Sequence, residues 1–336
     1  MDGVASESRD ERAALFQETA ARMGLNPVIV EKDFWVCWSL RRLSQVGSLP
    51  RLLFKGGTSL SKAFDLIARF SEDVDLAFHR HDLGFGGDHD PALITSRGKR
   101  GRAVDALKRA CAAHIETELL PKLRVDFGDR IQNAHWGIEI DSADPQTVVF
   151  DYPSALSSEV YGGLQYIRPA VRLELGATSD HDPAERLPIR PYVAQEFPNE
   201  FTVPACHVVT LAPERTFWEK ATHLHAVNHK PAKGRDRVSR HCYDIVMMSR
   251  RGVADSSLAR LDILEAVVRH KLVFFYSAWA DYPAAVPGTF RLAPRPELDV
   301  ILREDYEHMQ PMFFRDAPSW EEIVAELTDI DRRINE

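Results

Sequence analysis

Six residues, "DVDLAF" (Asp73–Phe78), constrain the fold of this chain more than any other stretch. Val74, Leu76 and Phe78 alternate with Asp73, Asp75 and Ala77, the period of two that a half-buried β-strand requires and a helix does not produce. One face of this strand serves a core, and the other carries two carboxylates. Side chains two residues apart on a strand project from the same side, roughly 6.6 Å apart along it, so both can reach one ligand. Phosphoryl-transfer sites that hold two ions about 3.5 to 4 Å apart need carboxylates shared between them. A solvated strand face with two charges accounts for the same alternation without any chemistry.

The stretch just before it makes the second reading harder to keep. "LLFKGGTSLSKAFDLI" runs from a short apolar segment, Leu52 to Phe54, into a glycine pair and then a helical pattern with Thr58 or Ser59 as its expected N-cap. Gly56 and Gly57 can take positive φ and let the backbone approach a ligand, while the amides that follow are donors for an anion. The spacing is not that of a Walker A loop, and a plain strand-to-helix turn explains it equally well when taken alone. A phosphate-binding turn beside a cation-binding pair is a conjunction that few structural accounts predict. Gly56, Gly57, Thr58 and Ser59, with Lys55 and Lys62, are therefore the nucleotide-binding candidates.

At 336 residues the chain exceeds one usual core, and two lobes are expected. Hydrophobic residues at 44% and charged residues at 27% describe an ordinary globular protein. A formal net charge of -8 argues against a surface that coats nucleic acid throughout. Cys37, Cys111, Cys206 and Cys242 form no Cys-x-x-Cys pair, which fits a reducing cytoplasm and gives no zinc motif. The charged start lacks the apolar stretch of a signal peptide, and "LVFFYSAWADYPAAVPGTF" is broken by Asp281 and prolines well short of a membrane span.

Residues 10 to 48 read as helices, and Gly101 to Leu120 as a long one. "HWGIEID", "QTVVFDY" and "AVRLELGA" read as strands, and the proline-rich "LPIRPYVAQEFP" as an irregular connection. From about Pro213 the pattern is helical. The expectation is an α+β chain: a mixed sheet flanked by helices over residues 1–205, then a mainly helical lobe over 206–336.

A third carboxylate usually joins such a pair from a neighbouring strand. Glu174 shares a face with Arg172 in "VRLEL", and Glu139 with Asp141 in "GIEID" is the competing pair. Glu174 simply pairing with Arg172 is the structural alternative. In "ERTFWEKATHLHA" the stripe Phe217, Ala221, Leu224 leaves Glu219 and His223 adjacent at i, i+4. In "SRHCYDI", Asp244 stands four residues from Arg240 and three from His241, so it can orient either of them or Lys220.

"KGGTSLSKAFDLIARFSEDVDLAF" resembles the first motif of the AbiEii/AbiGii nucleotidyltransferase family, toxins of type IV toxin-antitoxin systems within the DNA polymerase β-like superfamily. "GLNPVIVEKDFWV", "RTFWEKATHLH", "SRHCYDI" and the "EDYEHMQPMFF" to "RRIN" ending are similar to the family pattern too, so the likeness covers most of the chain. It implies a polymerase β-like lobe and a nucleotidyltransferase that draws on a nucleoside triphosphate, with Mg2+ or Mn2+ as its metal. It favours Glu174 as the third ligand beside Asp73 and Asp75, and implies that Lys220 and Asp244 complete the catalytic set. It further implies an RNA acceptor, the 3' end of tRNA, whose modification blocks translation, and an antitoxin encoded nearby. His241 departs from the wider Arg-Asp-x-x-Asp pattern, so a first-aspartate role does not carry over, and the position matching His225 has no assigned role.

Two basic clusters stand out against the acidic total: Arg97, Lys99, Arg100 and Arg102 in the first, and Lys230, Lys233, Arg235, Arg237 and Arg240 in the second. They are candidate RNA contacts, or solvated loops and helix faces, and no interleaved aromatic RNA-recognition motif accompanies them. Transfer to a small molecule or a protein hydroxyl, and a non-catalytic nucleotide-binding regulator, remain rival readings of the same motifs.

Overall fold

The computed structural model describes residues 1–47, 49–71, 73–132, 135–162, 168–230 and 237–336. Its chain divides into two compact units. The first comprises Met1–Ala63, Phe70–Gly87 and Asp105–Thr210, and the second Phe64–Arg69, Asp88–Val104 and Leu211–Glu336.

The first unit is built on a seven-stranded mixed sheet. Its strands are β1 (Leu52–Lys55), β2 (Asp73–Phe78), β3 (Gly137–Ile140), β4 (Thr147–Asp151), β5 (Ala170–Gly176), β6 (Ala184–Ile189) and β7 (Cys206–Leu211), in the order β3-β4-β5-β2-β1-β7-β6. β2 lies at the centre, antiparallel to β1 and parallel to β5. The alternation in β2 turns Val74 and Leu76 into the core, where both are buried, and leaves Asp73 and Asp75 half-buried on the other face.

The core face is covered by the helix Pro27–Gln45, which starts on the Asn26 side chain with a proline in its first turn. Its Trp35 and Trp38 are fully buried and meet Phe150 of β4, while Trp38 also lies edge-on to Phe127 at 4.6 Å. Interlocked aromatic rings contribute beyond their buried area. This aromatic layer anchors the strands from below, and the opposite face of β2 and β5 carries Asp73, Asp75 and Glu174.

Three segments depart from the expectations. "LPIRPYVAQEFP" contains the end of β6 and the helix Tyr192–Glu196. β6 is an edge strand, the place in a sheet where a proline such as Pro188 is tolerated. β7 follows residue 205 and pairs in parallel with β1, so the sheet continues into the segment assigned from sequence to the helical lobe. "CHVVTL" lacks the strict alternation that marks β2. The long helix begins earlier than expected, at Arg97, and runs to His114 before a π-helical turn over Ile115–Leu119.

The second unit is mainly helical, with Pro213–His229, Ser239–Arg250, Leu261–Phe274, Pro296–His308 and Trp320–Asn335 as its longer helices. Phe217, Ala221 and Leu224 are buried as their spacing predicts. Among the described residues no helix is long and apolar enough to cross a membrane. All four cysteines are free and buried.

Candidate active site

The sheet register brings the carboxylates together. Asp75 stands opposite Glu174 on the adjacent parallel strand, and Asp73 stands opposite Arg172. Adjacent strands lie about 4.8 Å apart, so Asp73, Asp75 and Glu174 share one patch of one face. Arg172 does not neutralise Glu174: its Nε meets Asp73 Oδ1 at 3.3 Å and its Nη1 donates to Asp141 Oδ2 at 2.6 Å. That second bond engages the competing candidate Asp141 and holds its carboxyl below the usual range.

Among the described residues, the carboxylates of Asp75 and Glu174 have no hydrogen-bonding or ion-pairing partner. Burial, followed by the negative charges of Asp73 and Asp75, pushes the Glu174 carboxyl up to about 7. Like charges held together without compensation are the condition that a hard cation relieves. The donor set, three carboxylates and no sulfur or imidazole, fits Mg2+ or Mn2+. Among the described residues no three such side chains already stand in a ready-made metal cage.

The glycine turn closes over the same carboxylate. Gly56 has φ +77°, and a Cβ placed there would lie 1.8 Å from Asp75 Oδ2. Glycine is thus required twice, for its dihedral and for the close approach. The helix starts at Gly56 itself and ends at Lys62, so it is earlier and shorter than the N-cap reading predicts. Thr58 and Ser59 lie inside it, with side chains turned to the protein: Thr58 Oγ1 donates to the carbonyl of Asp73 at 2.5 Å, and Ser59 Oγ to that of Gly56 at 2.9 Å. What this turn can offer a phosphate is backbone amide, not hydroxyl.

Lys55 is the cross-strand neighbour of Asp75. Lys62, by contrast, is withdrawn from solvent, with its ammonium 2.6 Å from Asp33 Oδ1 and over the ring of Tyr192. Burial opposes its charge, but the Asp33 carboxylate holds the lysine above its ordinary pKa. The "EKD" of the helix Pro27–Gln45 therefore reaches the last residue of the helix that the glycines open through a buried ion pair, a link that no local pattern announces.

Gly56→Ala is expected to cost roughly 1–2 kcal/mol in backbone strain and to displace Asp75. Urea unfolding should show a folded, weakened protein, and nucleotide transfer should be lost.

The second unit holds its own charged cluster. Arg69 donates from Nε and Nη2 to the two oxygens of Asp244, both at 2.7 Å, and Lys220 Nζ lies 2.8 Å from Asp244 Oδ2. Asp244 is 0% exposed and Arg69 2%. Burial resists the Asp244 charge, yet Arg69 and Lys220 bring the carboxyl down to about 2. Burial, helped by the nearby charge of Arg69, lowers Lys220 against the opposing pull of Asp244, and its Nζ is also 3.4 Å from His241 Nδ1. His241, driven well down by burial and then by Lys220, is neutral. Of the three roles open to Asp244, the geometry provides the orientation of Lys220. Arg69 was invisible in the sequence, since it lies in "ARF" between two elements and meets its partner 175 residues away.

Glu219 pairs with Arg215, and His223 stacks edge-on to His241 at 4.8 Å. His225 is buried and satisfied: Nδ1 accepts from the Arg291 amide and Nε2 donates to the Asp281 carbonyl. Arg97, Lys99, Arg102, Lys230 and Arg237 are exposed and Arg100 and Arg240 half-buried, all in the second unit. Lys233 and Arg235 lie outside the described residues.

Compared with known families, residues 38–326 match the model described as nucleotidyl transferase AbiEii toxin of type IV toxin-antitoxin systems. This chain belongs to the AbiEii family. It is a nucleotidyltransferase of the type IV toxin-antitoxin class, which removes the non-catalytic regulator from the rival readings. Among solved structures it is similar to MenT4, a nucleotidyltransferase toxin from Mycobacterium tuberculosis, at 16% identity over 98% of this chain and 94% of that one, with a TM-score of 0.48. No curated protein matches it.

Proposed function

We propose that this AbiEii-family protein transfers a nucleotide from a nucleoside triphosphate to an RNA acceptor, the 3' end of tRNA, and so blocks translation in the cytoplasm until a cognate antitoxin counters it. The observation that carries the reading is the pair Asp75 and Glu174, without partners among the described residues, in register on adjacent strands beside Asp73 and closed over by Gly56.

Asp73, Asp75 and Glu174 would hold Mg2+ or Mn2+, and the bound ion would neutralise charge developing on the phosphates. The backbone from Gly56 to Ser59 would hold the outer phosphates through its amides, with the helix dipole favouring the anion. Lys55, at the end of β1 beside Asp75, adds positive charge to that end of the site. The acceptor hydroxyl attacks the α-phosphorus, gives up its proton, and the bond to pyrophosphate breaks. Lys220, fixed by Asp244, would supply a further cation to the reaction.

Purified protein incubated with each labelled nucleoside triphosphate, Mg2+ and total RNA tests this. Label should appear in RNA of tRNA size, vanish with chelator and return with Mg2+ or Mn2+. Label on protein or a small molecule would replace the acceptor, and transfer with none of the four nucleotides would remove the reading.

A further inference from the structure

Three aromatic rings of the segment "FFYSAW" stay at the surface of the second unit: Phe275, Tyr276 and Trp279 are 45%, 44% and 43% exposed. Large rings are costly to leave in water, and three within five residues form a patch rather than scattered exceptions. Each ring carries a cation on its face. Arg97 lies 4.0 Å from the centroid of Tyr276, Lys230 4.9 Å from that of Trp279, and Lys271 5.3 Å from that of Phe275.

The partners are informative. Arg97 opens the first basic cluster and Lys230 opens the second, although they are 133 residues apart in sequence. The loop carries one residue of each cluster, Arg97 and Lys230, on its rings, which supplies the aromatics that the linear sequence lacks. An isolated cation–π pair at a surface is common, roughly one per 70–80 residues. Three on a single loop are not explained by that frequency.

We infer that Phe275, Tyr276 and Trp279, with Arg97, Lys230 and Lys271, form a stacking platform for a single-stranded RNA segment of the acceptor. Bases stack on the rings without sequence preference, and the cations meet the phosphates on either side. An acidic peptide matches the charges but leaves the rings unused. On a chain of net charge -8, a local basic patch also orients an approaching polyanion toward this loop. The inference rests on the RNA-acceptor reading above, and names the surface that receives that acceptor.

The test is equilibrium binding of a fluorescein-labelled twelve-nucleotide single-stranded RNA and a blunt RNA duplex to the intact protein. Tyr276→Ala and Trp279→Ala should each weaken single-strand binding about ten-fold, with the duplex affinity and the salt slope unchanged. Tyr276→Phe and Trp279→Phe should restore it. Arg97→Gln and Lys230→Gln should instead weaken both probes and reduce the salt slope by about one each. Equal single-strand affinity in wild type and alanine variants, or competition by polyglutamate as effective as that of RNA, overturns the platform. Labelled-nucleotide transfer on the same preparations keeps the two readings apart: transfer to RNA that survives both alanine variants at unchanged KM for RNA removes the platform alone.

Discussion

Asp75→Asn is expected to abolish nucleotide transfer while leaving the metal-free protein at least as stable as the wild type. Groups that merely support a metal ligand cost 10–100-fold when removed, so loss of a direct carboxylate should cost at least about 100-fold. The stability half of the expectation follows from the same geometry. Asp75 makes no hydrogen bond or ion pair among the described residues, so asparagine breaks nothing, and it removes a like charge facing Glu174. The relief is on the order of 1 kcal/mol at partly exposed carboxylates. In wild type, Mg2+ at one hundred times its Kd should add about 2.7 kcal/mol of stability, and Asp75→Asn should lose most of this gain. Thermal unfolding with and without Mg2+ reads both effects. An unfolded variant would make Asp75 structural, and a variant that retains transfer would place the metal elsewhere.

What the sequence revealed of this site, and what it withheld, divides by the range of the interactions. Asp73 and Asp75 were legible because a strand's period of two is local, and it reports which face each residue takes whatever the rest of the chain does. Glu174 was legible as a candidate, but its pairing with Asp75 is a matter of strand register, set by a hydrogen-bond ladder across a hundred residues. Gly56 was read as flexible, whereas its meaning is steric: a particular carboxylate oxygen occupies the place of its side chain. Thr58, Ser59 and Lys62 show the opposite limit. Their residue types suit phosphate, and only the fold reveals that Asp73, Gly56 and Asp33 already engage them. β7 stayed hidden because its burial has no clean period, and β6 because proline is a poor omen everywhere except at a sheet edge.

Arg69 was the least legible residue, and it decides the second large effect. Asp244 is a buried carboxylate shared by two buried cations, Arg69 and Lys220. Removing the carboxylate takes from Arg69 and Lys220 the anion they share, and Asp244→Ala should cost about 3–5 kcal/mol. Removing Lys220 instead leaves the two-pronged Arg69–Asp244 pair intact. Lys220→Met should therefore stay within about 1–2 kcal/mol of wild type, a volume-matched apolar replacement for an ion-pair partner, and lose transfer all the same. The pH response has a definite sign. Asp244 titrates at about 2 in the fold against an ordinary 3.8, so its contribution is complete above pH 4 and is lost as the pH falls toward 2. Urea unfolding of wild type between those values should weaken steeply, and Asp244→Ala should lack that share of the acid limb. If Asp244→Ala is as stable as Lys220→Met, the carboxylate is not the keystone of the cluster. The ordering of the two variants, more than either value, separates a residue that holds the fold together from one held in place by it.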